Sequence, residues 1–291
     1  MVVRILGIIL PVFSVVALGW LYAARVKPDL LWVNRINIGM LQPALVFSAL
    51  ASKDFVLASN LPLIAGGIGV VLGSGLLAWP FAKLLHQDHR TWVPPMMFNN
   101  CGNMGLPIAY LSFGQPGLSA MVTLFSISNL MHFTLGVHIV RRDAPIGPIF
   151  RSPIVIATLL GFVFAVAHPP VPDWLTFAIK LVGDAAIPLV LISLGARLAE
   201  ARFDDLRLGI LGGLVCPLTG IAIAGLLTLV LNLDSTQQGL LFIFGALPPA
   251  VLNFMVAEQY RQEPSKVASI VLVGNMMAVL FVPLGLSLAL R

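Results

Sequence analysis

The sequence NNCGNMGLP at residues 99–107 decides the fold, because it places a polar break inside an apolar span. Apolar residues at 92–98 precede it and apolar residues at 108–113 follow it, so the break falls where a helix would cross the middle of a bilayer. Asparagines, glycines and Pro107 interrupt a helix and free its backbone groups. In hydrocarbon such groups are tolerated only when they are buried in protein or line a cavity. The stretch therefore predicts one half of a binding site at membrane depth.

The composition of the 291-residue chain predicts an integral membrane protein. Only 10% of its residues are charged, and the mean hydropathy is +0.97. A soluble domain carries about 25% charged residues. The basic residues lie in separate loops rather than in one dense patch, so no nucleic-acid partner is expected. Cys101 and Cys216 both lie in apolar segments, and neither a disulfide framework, a metal site nor a cofactor is predicted.

Apolar segments separated by turn residues or charges predict ten helices in an all-α integral membrane fold. At about 20 residues per span, the chain length admits roughly that number. The first segment is long for the hydrophobic region of a signal peptide, so it is assigned as a membrane span. The predicted ranges are 3–24, 36–51, 57–85, 92–113 with its break, 118–140, 153–167, 174–198, 208–231, 239–260 and 265–290.

Loop charges predict that the N-terminus and the C-terminus both lie outside the cell membrane. With this orientation three basic residues are external, namely Arg4, Lys53 and Arg291. Such a lopsided distribution follows the positive-inside rule. The thirteen basic residues in cytoplasmic loops are Arg25, Lys27, Arg35, Lys83, Arg90, Arg141, Arg142, Arg151, Arg197, Arg202, Arg207, Arg261 and Lys266.

Three pairs of motifs recur in the two halves of the chain at nearly one spacing. Two repeats of five helices, at residues 1–145 and 146–291, are odd-numbered, so the second must insert upside down. Inverted repeats with a broken helix in each half are a recurrent plan among secondary transporters. The pairs are Pro43 and Ser48 with Pro188 and Ser193, Asn129 with Asn275, and Pro107 with Pro248 and Pro249.

The two proline motifs predict an anion site. Pro107 and Pro249 each suit the first position of a new helical segment, where a missing N–H costs nothing. Inverted repeats would make the positive ends of these two half-helices converge, with Asn100 and Asn103 as side-chain donors. The alternative is that the prolines only kink two membrane helices.

A charged side chain inside a membrane segment is costly to bury and therefore indicates a functional role. Lys180 and Asp184 lie four residues apart on one helix, so they form either a self-neutralising pair or part of a coupling or gating mechanism. Glu258 lies near the cytoplasmic end of the ninth helix. It is either interfacial or has a role in the site or in proton handling.

Other polar residues in the apolar segments have two interpretations. Asn129 and Asn253 fit either a substrate-binding site or hydrogen bonds that join neighbouring helices. For Asn275 we expect interhelical bonding. His132 is predicted to be a core or interface histidine.

Several motifs spread over the whole chain together resemble one family. They are Asn100-x4-Gly105-Leu106-Pro107, ALPPAV at 246–251, Ala257-x-x-Tyr260, Asn34-Arg35 with Pro43 and Ser48, and Asp184-Ala185 with Ser193-Leu194-Gly195. This set resembles the auxin efflux carrier family, within the bile acid/arsenite/riboflavin transporter superfamily. The bacterial members of that family are membrane carriers of small organic acids.

The resemblance implies five plus five inverted helices, with helices 4 and 9 broken and crossing at the midplane. It also implies a scaffold part, a transporter part and an elevator-like movement, with the substrate carboxylate held at Asn100, Pro107 and Pro248. One departure is that only residues 141–152 stand where plant hormone carriers have a long cytoplasmic loop. This indicates a short member of the bacterial inner membrane and argues against auxin itself as substrate.

The sequence thus predicts a secondary carrier of small organic anions, such as malonate, malate or other mono- or dicarboxylates. Its expected partners are the anion and the lipid bilayer, and its helix-packing surfaces are compatible with a homodimer. The alternative is a sodium- or proton-coupled symporter or antiporter of the same fold, with Asp184 and Glu258 as coupling residues. An enzyme is not predicted, because no nucleophile elbow, paired-aspartate metal motif or His/Glu cluster is present. The predicted substrate-binding residues are Asn100, Asn103, Pro107, Asn129, Pro248, Pro249 and Asn253.

Overall fold

The computed structural model describes residues 1–52, 55–145, 147–199 and 204–290, and every regular element in these ranges is helical. Lys53, Arg202 and Arg291, which entered the count of loop charges, lie outside them. Short π-helical turns at 37–41, 101–105 and 132–136 precede α3, α6 and α7 respectively. The α-helices are α1 Val2–Val26, α2 Leu30–Ile36, α3 Gln42–Leu50, α4 Leu57–Leu84, α5 His89–Met97, α6 Leu106–Met131, α7 Val137–Val140, α8 Pro153–Ala167, α9 Asp173–Asp184, α10 Ala186–Ala199, α11 Leu206–Val230, α12 Ser235–Ala246, α13 Val251–Gln259 and α14 Pro264–Ala289.

Within the described ranges, six helical stretches are long and apolar enough to cross a membrane. The shorter helix α8 is also apolar. The chain is therefore an all-helical, multi-pass membrane protein. The six stretches are Val2–Val26, Leu57–Leu84, Cys101–Val140, Asp173–Ala199, Leu206–Val230 and Pro264–Ala289.

Several predicted helices begin too late, because polar capping residues were assigned to loops, and the difference is largest for helices 2 and 9. Helix 2 begins at residue 30 rather than 36, since the Asp29 side chain accepts a hydrogen bond from Leu31 N–H at 2.8 Å. Helix 9 begins at residue 235 rather than 239, where Asp234 and Gln237 form a capping box. Capping satisfies N–H groups of the first helical turn, so it starts a helix before the apolar residues begin.

Neither half-helix begins at the proline that was predicted to start it. The first gap is residues 98–100, and helical structure resumes in the π-helical turn 101–105, so Pro107 is already the second residue of α6. The second gap is residues 247–250, and Pro249 lies within it rather than at the start of α13. The prediction that each proline begins a half-helix is therefore wrong. A proline lacks an N–H group, so it is also tolerated in a non-helical crossing segment.

The helices pack as two groups. In the first helix group, defined as α1–α3 and α8–α10, α1 packs along α10, and α3 packs on α8 and α9. In the second helix group, defined as α4–α7 and α11–α14, α11 packs on α4, α12 and α14. The two groups meet where α6 faces α3 and α8, and there Thr158 Oγ1 donates to Ser126 Oγ at 3.3 Å.

A glycine permits the close approach of α1 to α10. A Cβ atom at Gly19 would overlap the backbone carbonyl of Ile192, whereas a Cβ atom at Gly7 on the same helix meets open space. We expect Gly19→Ala to lower the melting temperature of the detergent-purified protein, because overpacking costs about 1–3 kcal/mol. Gly7→Ala should leave it unchanged or slightly raised. Intrinsic tryptophan fluorescence during heating measures both, and equal melting temperatures would contradict the close packing.

Candidate functional site

The two gaps cross and pair as a short antiparallel bridge between Asn99 and Pro249. Unpaired backbone groups at membrane depth are costly. The main-chain hydrogen bonds between the two gaps therefore stabilise the two breaks in the helices. The crossing is thus held by main-chain contacts as well as by side chains. Two backbone hydrogen bonds flank the bridge: Asn100 N–H to Pro248 O at 2.7 Å, and Ala250 N–H to Phe98 O at 2.9 Å.

Buried asparagine amides support this crossing. Asn100 Nδ2 donates to Asn275 Oδ1 at 2.7 Å, and Asn275 Nδ2 donates in turn to the carbonyl of Pro249 at 2.9 Å. Asn253 Nδ2 donates to the carbonyl of Phe98 at 2.9 Å. All three asparagines are at least 97% buried. In this arrangement the Asn100 amide nitrogen is directed at Asn275, and Asn253 and Asn275 bond to the crossing itself.

A cavity of about 130 Å³ lies beside the crossing, with walls from both helix groups. The first turns of both half-helices line it, through Gly102 and Asn103 on one side and Val251 and Leu252 on the other. N–H groups in the first turn of a helix have no partner within that helix. Both half-helices therefore present their positive ends to the same cavity.

One face of α6 and its π-helical continuation forms a second wall. Phe125, Ser128, Asn129 and His132 all line the cavity, and their spacing is that of a single helix face. The His132 ring stacks on Phe98 with centroids 4.2 Å apart and planes 9° apart. Its Nε2 atom is buried and meets no hydrogen-bonding partner among the described residues. The histidine predicted to be a core residue is thus buried, but it borders the cavity.

The first helix group supplies the opposite wall. On α10, Val190, Ser193, Leu194 and Arg197 line the cavity at helical spacing. The end of α2, the π-helical turn 37–41 and the start of α3 add one polar side chain each. These are Asn34, Asn37 and Gln42.

The structure brings together some of the predicted substrate-binding residues and separates others. Asn100, Asn103 and Asn129 line the cavity. Pro107 is buried at the start of α6 and lies outside the cavity lining. The remaining three, Pro248, Pro249 and Asn253, belong to the crossing and its support.

The predicted coupling residues lie outside this cavity. Lys180 Nζ and Asp184 Oδ2 form an ion pair at 2.8 Å on α9, and both side chains are about half exposed. Glu258 lines a second cavity of about 470 Å³, which it shares with Asp204. Arg197 lines both cavities, so the two adjoin at this residue.

Polar side chains at the predicted cytoplasmic face join the beginning of α5 to the turn between α13 and α14. Thr91 Oγ1 donates to Glu263 Oε2 at 2.6 Å, and Gln262 Nε2 donates to Asp88 Oδ2 at 3.1 Å. Partial burial raises the pKa of Glu263, but hydrogen bonds from Lys266 and Thr91 outweigh it, so this pKa lies below its usual value. These contacts tie both broken helices into one unit at their outer ends.

Sequence reasoning missed the wall formed by the first helix group. Arg197 was counted as a cytoplasmic loop charge, and Asn37 and Gln42 received no role. One signal for α10 was present, since Ser193 and Arg197 are polar residues one turn apart on an otherwise apolar helix face. Nothing in the local sequence indicates that this face meets the crossing, because that depends on how α10 packs.

Comparisons with known proteins agree with a transport role. The family described as "Membrane transport protein" matches residues 146–286. A Rhizobium meliloti protein named "Putative malonate transporter" is 23% identical over 303 residues, which cover 95% of this chain and 93% of that protein. An "Uncharacterized transporter" of Methanothermobacter thermautotrophicus is 27% identical over 301 residues, covering 98% and 94%.

A plant protein is also similar over part of its length. "Auxin efflux carrier component 6" of Arabidopsis thaliana is 24% identical over 135 residues, which cover 44% of this chain and 24% of the plant protein. The resemblance that the sequence motifs predicted is confirmed by these matches. The names of these relatives describe membrane transporters rather than enzymes.

Proposed function

We propose that this chain, which is similar to membrane transporters and to an auxin efflux carrier, is a secondary carrier of small organic anions. The observation that carries this proposal is the convergence of two half-helix N-termini and polar side chains on one cavity. Helix N-termini favour anions through their free N–H groups and their dipoles. The Rhizobium meliloti relative, whose name mentions malonate, supports short carboxylic acids as substrates.

The proposed substrate contacts follow from the residues that line the cavity. First-turn N–H groups at Gly102, Asn103, Val251 and Leu252 would receive the carboxylate, together with the side-chain amides of Asn103 and Asn129. Asn100 would act mainly by holding the crossing through Asn275. The carried acid undergoes no covalent change, so the protein has only to bind, enclose and release it.

The proposed membrane arrangement has ten passes in two inverted repeats, residues 1–145 and 146–291. The passes would be α1, α2–α3, α4, α5 with the start of α6, the rest of α6 with α7, α8, α9–α10, α11, α12–α13 and α14. Gly114 has a φ of 68°, a value that suits glycine, and it supports a turn inside α6 between two passes. Both termini would lie outside a bacterial inner membrane.

The proposed movement is of the elevator type, with the second helix group sliding against the first. Two features support it: the cavity lies between the groups, and the hydrogen bonds from Asn100 to Asn275 and from Asn275 to Pro249 join residues of the second group. An anion held at the crossing would therefore travel with that group. The first helix group would stay in place as the scaffold.

The test is charge movement in proteoliposomes on a solid-supported membrane, using malonate, malate, lactate and indole-acetate together with their amides. We expect currents from some of the acids and none from the amides, because an amide carries no charge for the helix ends to hold. Silence for every acid in this assay and in radiolabel counterflow would overturn the proposal. A current driven only by a sodium or proton jump would instead favour the coupled alternative and direct attention to Glu258 and Asp184.

A further inference from the structure

A third cavity, of about 480 Å³, lies at the predicted cytoplasmic face of the second helix group and shares no lining residue with the cavity at the crossing. Its walls come from the start of α5, the end of α7 and the turn that follows α13. We call it the basic cavity, because Arg90, Arg141 and Arg142 line it. Val140, which also lines it, ends one of the six membrane-crossing stretches. The basic cavity is therefore at the level of the lipid headgroups.

The arginines of this cavity carry more charge and more donors than their acidic neighbours take up. Arg141 Nε and Nη2 donate to Asp143 at 2.7 and 3.0 Å, and Arg90 Nε and Nη2 donate to Asp88 at 3.2 and 2.9 Å. A guanidinium group has five N–H donors, so both arginines keep donors for a further acceptor. Arg142 forms no ion pair with an acidic side chain in the part of the chain that the structure describes. Three arginines against two aspartates leave one positive charge in excess.

An apolar groove on the outside of the second helix group adjoins the basic cavity. The groove has a volume of about 350 Å³, and Ile139 of α7 lines both the groove and the cavity. Buried residues of α5 supply its floor, and one face of α4 supplies a wall. Leu76 is 76% exposed and Trp79 is 42% exposed, so the groove is open to lipid. The α4 residues at helical spacing are Leu72, Gly75, Leu76 and Trp79.

The two parts together match a phospholipid rather than a soluble anion. A phospholipid joins a phosphate to acyl chains, whereas a free phosphate would leave the apolar groove uncovered. A zwitterionic headgroup brings its own cation, so the excess positive charge of the cavity favours an anionic headgroup. The Trp79 ring lies against His89 with ring centroids 4.8 Å apart, between groove and cavity. Tryptophan is enriched at this level of a membrane.

We propose that α4, α5 and α7 form a specific site for one anionic phospholipid. Its phosphate would lie on Arg90, Arg141 and Arg142, and one acyl chain would lie in the groove. Because α5 leads directly into the gap at residues 98–100, the lipid would pack against the first broken helix. All three helices belong to the second helix group, so the lipid would be attached to that group alone.

The test measures tryptophan fluorescence of the full-length protein in phosphatidylcholine vesicles. One sample contains a small fraction of phosphatidylglycerol with brominated acyl chains, which quench tryptophan on contact, and the other contains the same fraction of brominated phosphatidylcholine. We expect more quenching by brominated phosphatidylglycerol, because it concentrates at the site. Trp79→Phe should remove most of this excess, since Trp79 is the tryptophan among the described residues that line the groove.

The arginine variants test the headgroup contacts. Arg142→Gln should lower the apparent affinity for phosphatidylglycerol about fivefold, the scale of one arginine near a membrane surface. Arg142→Lys keeps the charge and should retain most of the affinity. The matched control is Arg207→Gln, which removes an exposed arginine at the start of α11, outside the basic cavity, and should leave the excess quenching unchanged.

Two results would overturn the lipid site. The first is equal quenching of the wild type by the two brominated lipids, or an excess that Arg142→Gln does not change. The second is loss of the excess when inorganic phosphate replaces chloride at equal ionic strength, since the cavity would then take a soluble anion. Neither result bears on the carried substrate, because the measurement requires no transport.

Discussion

Asn100→Ala is expected to abolish anion-driven current while leaving the protein folded. The reason is that Asn100 holds Asn275, and Asn275 in turn holds the carbonyl of Pro249 at the crossing. Loss of one buried partner costs about 1–3 kcal/mol, or roughly 5- to 150-fold in affinity. The measurement is malonate current in proteoliposomes, with gel-filtration profile and melting temperature as checks on folding.

A comparison of variants separates the two roles that Asn100 can play. If it acts through Asn275, then Asn275→Ala should cause a similar loss, and the double variant should be little worse than either single one. Asn60→Ala is the matched control, since Asn60 lies outside the cavity lining and its side-chain amide donates to the carbonyl of Val56 at the start of α4. Normal binding in Asn275→Ala with loss in Asn100→Ala would show that Asn100 contacts the anion directly. Normal current in a folded Asn100→Ala protein would contradict both roles.

The sequence located the crossing because its signal is local. Asparagine, glycine and proline inside apolar spans disfavour a continuous helix whatever surrounds them, and both gaps lie within such stretches. The sequence did not define the position of each gap, because proline suits both a first helical turn and an extended segment. Pro107 lies inside the half-helix, near the start of α6 and after the π-helical turn 101–105, whereas Pro249 lies in the extended gap before α13.

The partners of the asparagines depend on packing and could not be predicted in the same way. Asn275 was expected to join helices, and the structure bonds it to Asn100 and to Pro249, residues 175 and 26 positions away in the chain. Asn129 and Asn253 had the same two interpretations, yet Asn129 borders the cavity and Asn253 bonds to the carbonyl of Phe98. An amide in an apolar helix must find a partner, but the sequence does not specify which one.

The wall formed by the first helix group shows the same limit more strongly. Its residues lie on two elements that are separate in sequence, the turn around Asn37 and the end of α10. Neither element indicates a binding site by itself, because an arginine near the end of a membrane helix is normally interpreted as a loop charge. Only the packing of the first helix group against the crossing turns them into one surface.

A disulfide between the two helix groups is expected to stop transport reversibly. Thr158 Oγ1 on α8 and Ser126 Oγ on α6 are 3.3 Å apart and buried where the groups meet, so cysteines at these positions can approach disulfide geometry. If the second group must slide against the first, Ser126→Cys/Thr158→Cys should carry normal current in reductant and almost none after oxidation. Return of the current on adding reductant would show that the protein was locked rather than damaged.

The single variants Ser126→Cys and Thr158→Cys provide the control, since each keeps the buried Cys101 and Cys216 but lacks the new pair. Both should be insensitive to the oxidant. Mass spectrometry of the oxidised double variant must show the crosslinked peptide, because current in an uncrosslinked sample carries no information about sliding. Full transport by the crosslinked protein would contradict an elevator, since residues joined by one disulfide cannot slide past each other by the distance an anion must travel. In that case the crossing would have to open and close in place, with movements confined to the cavity walls.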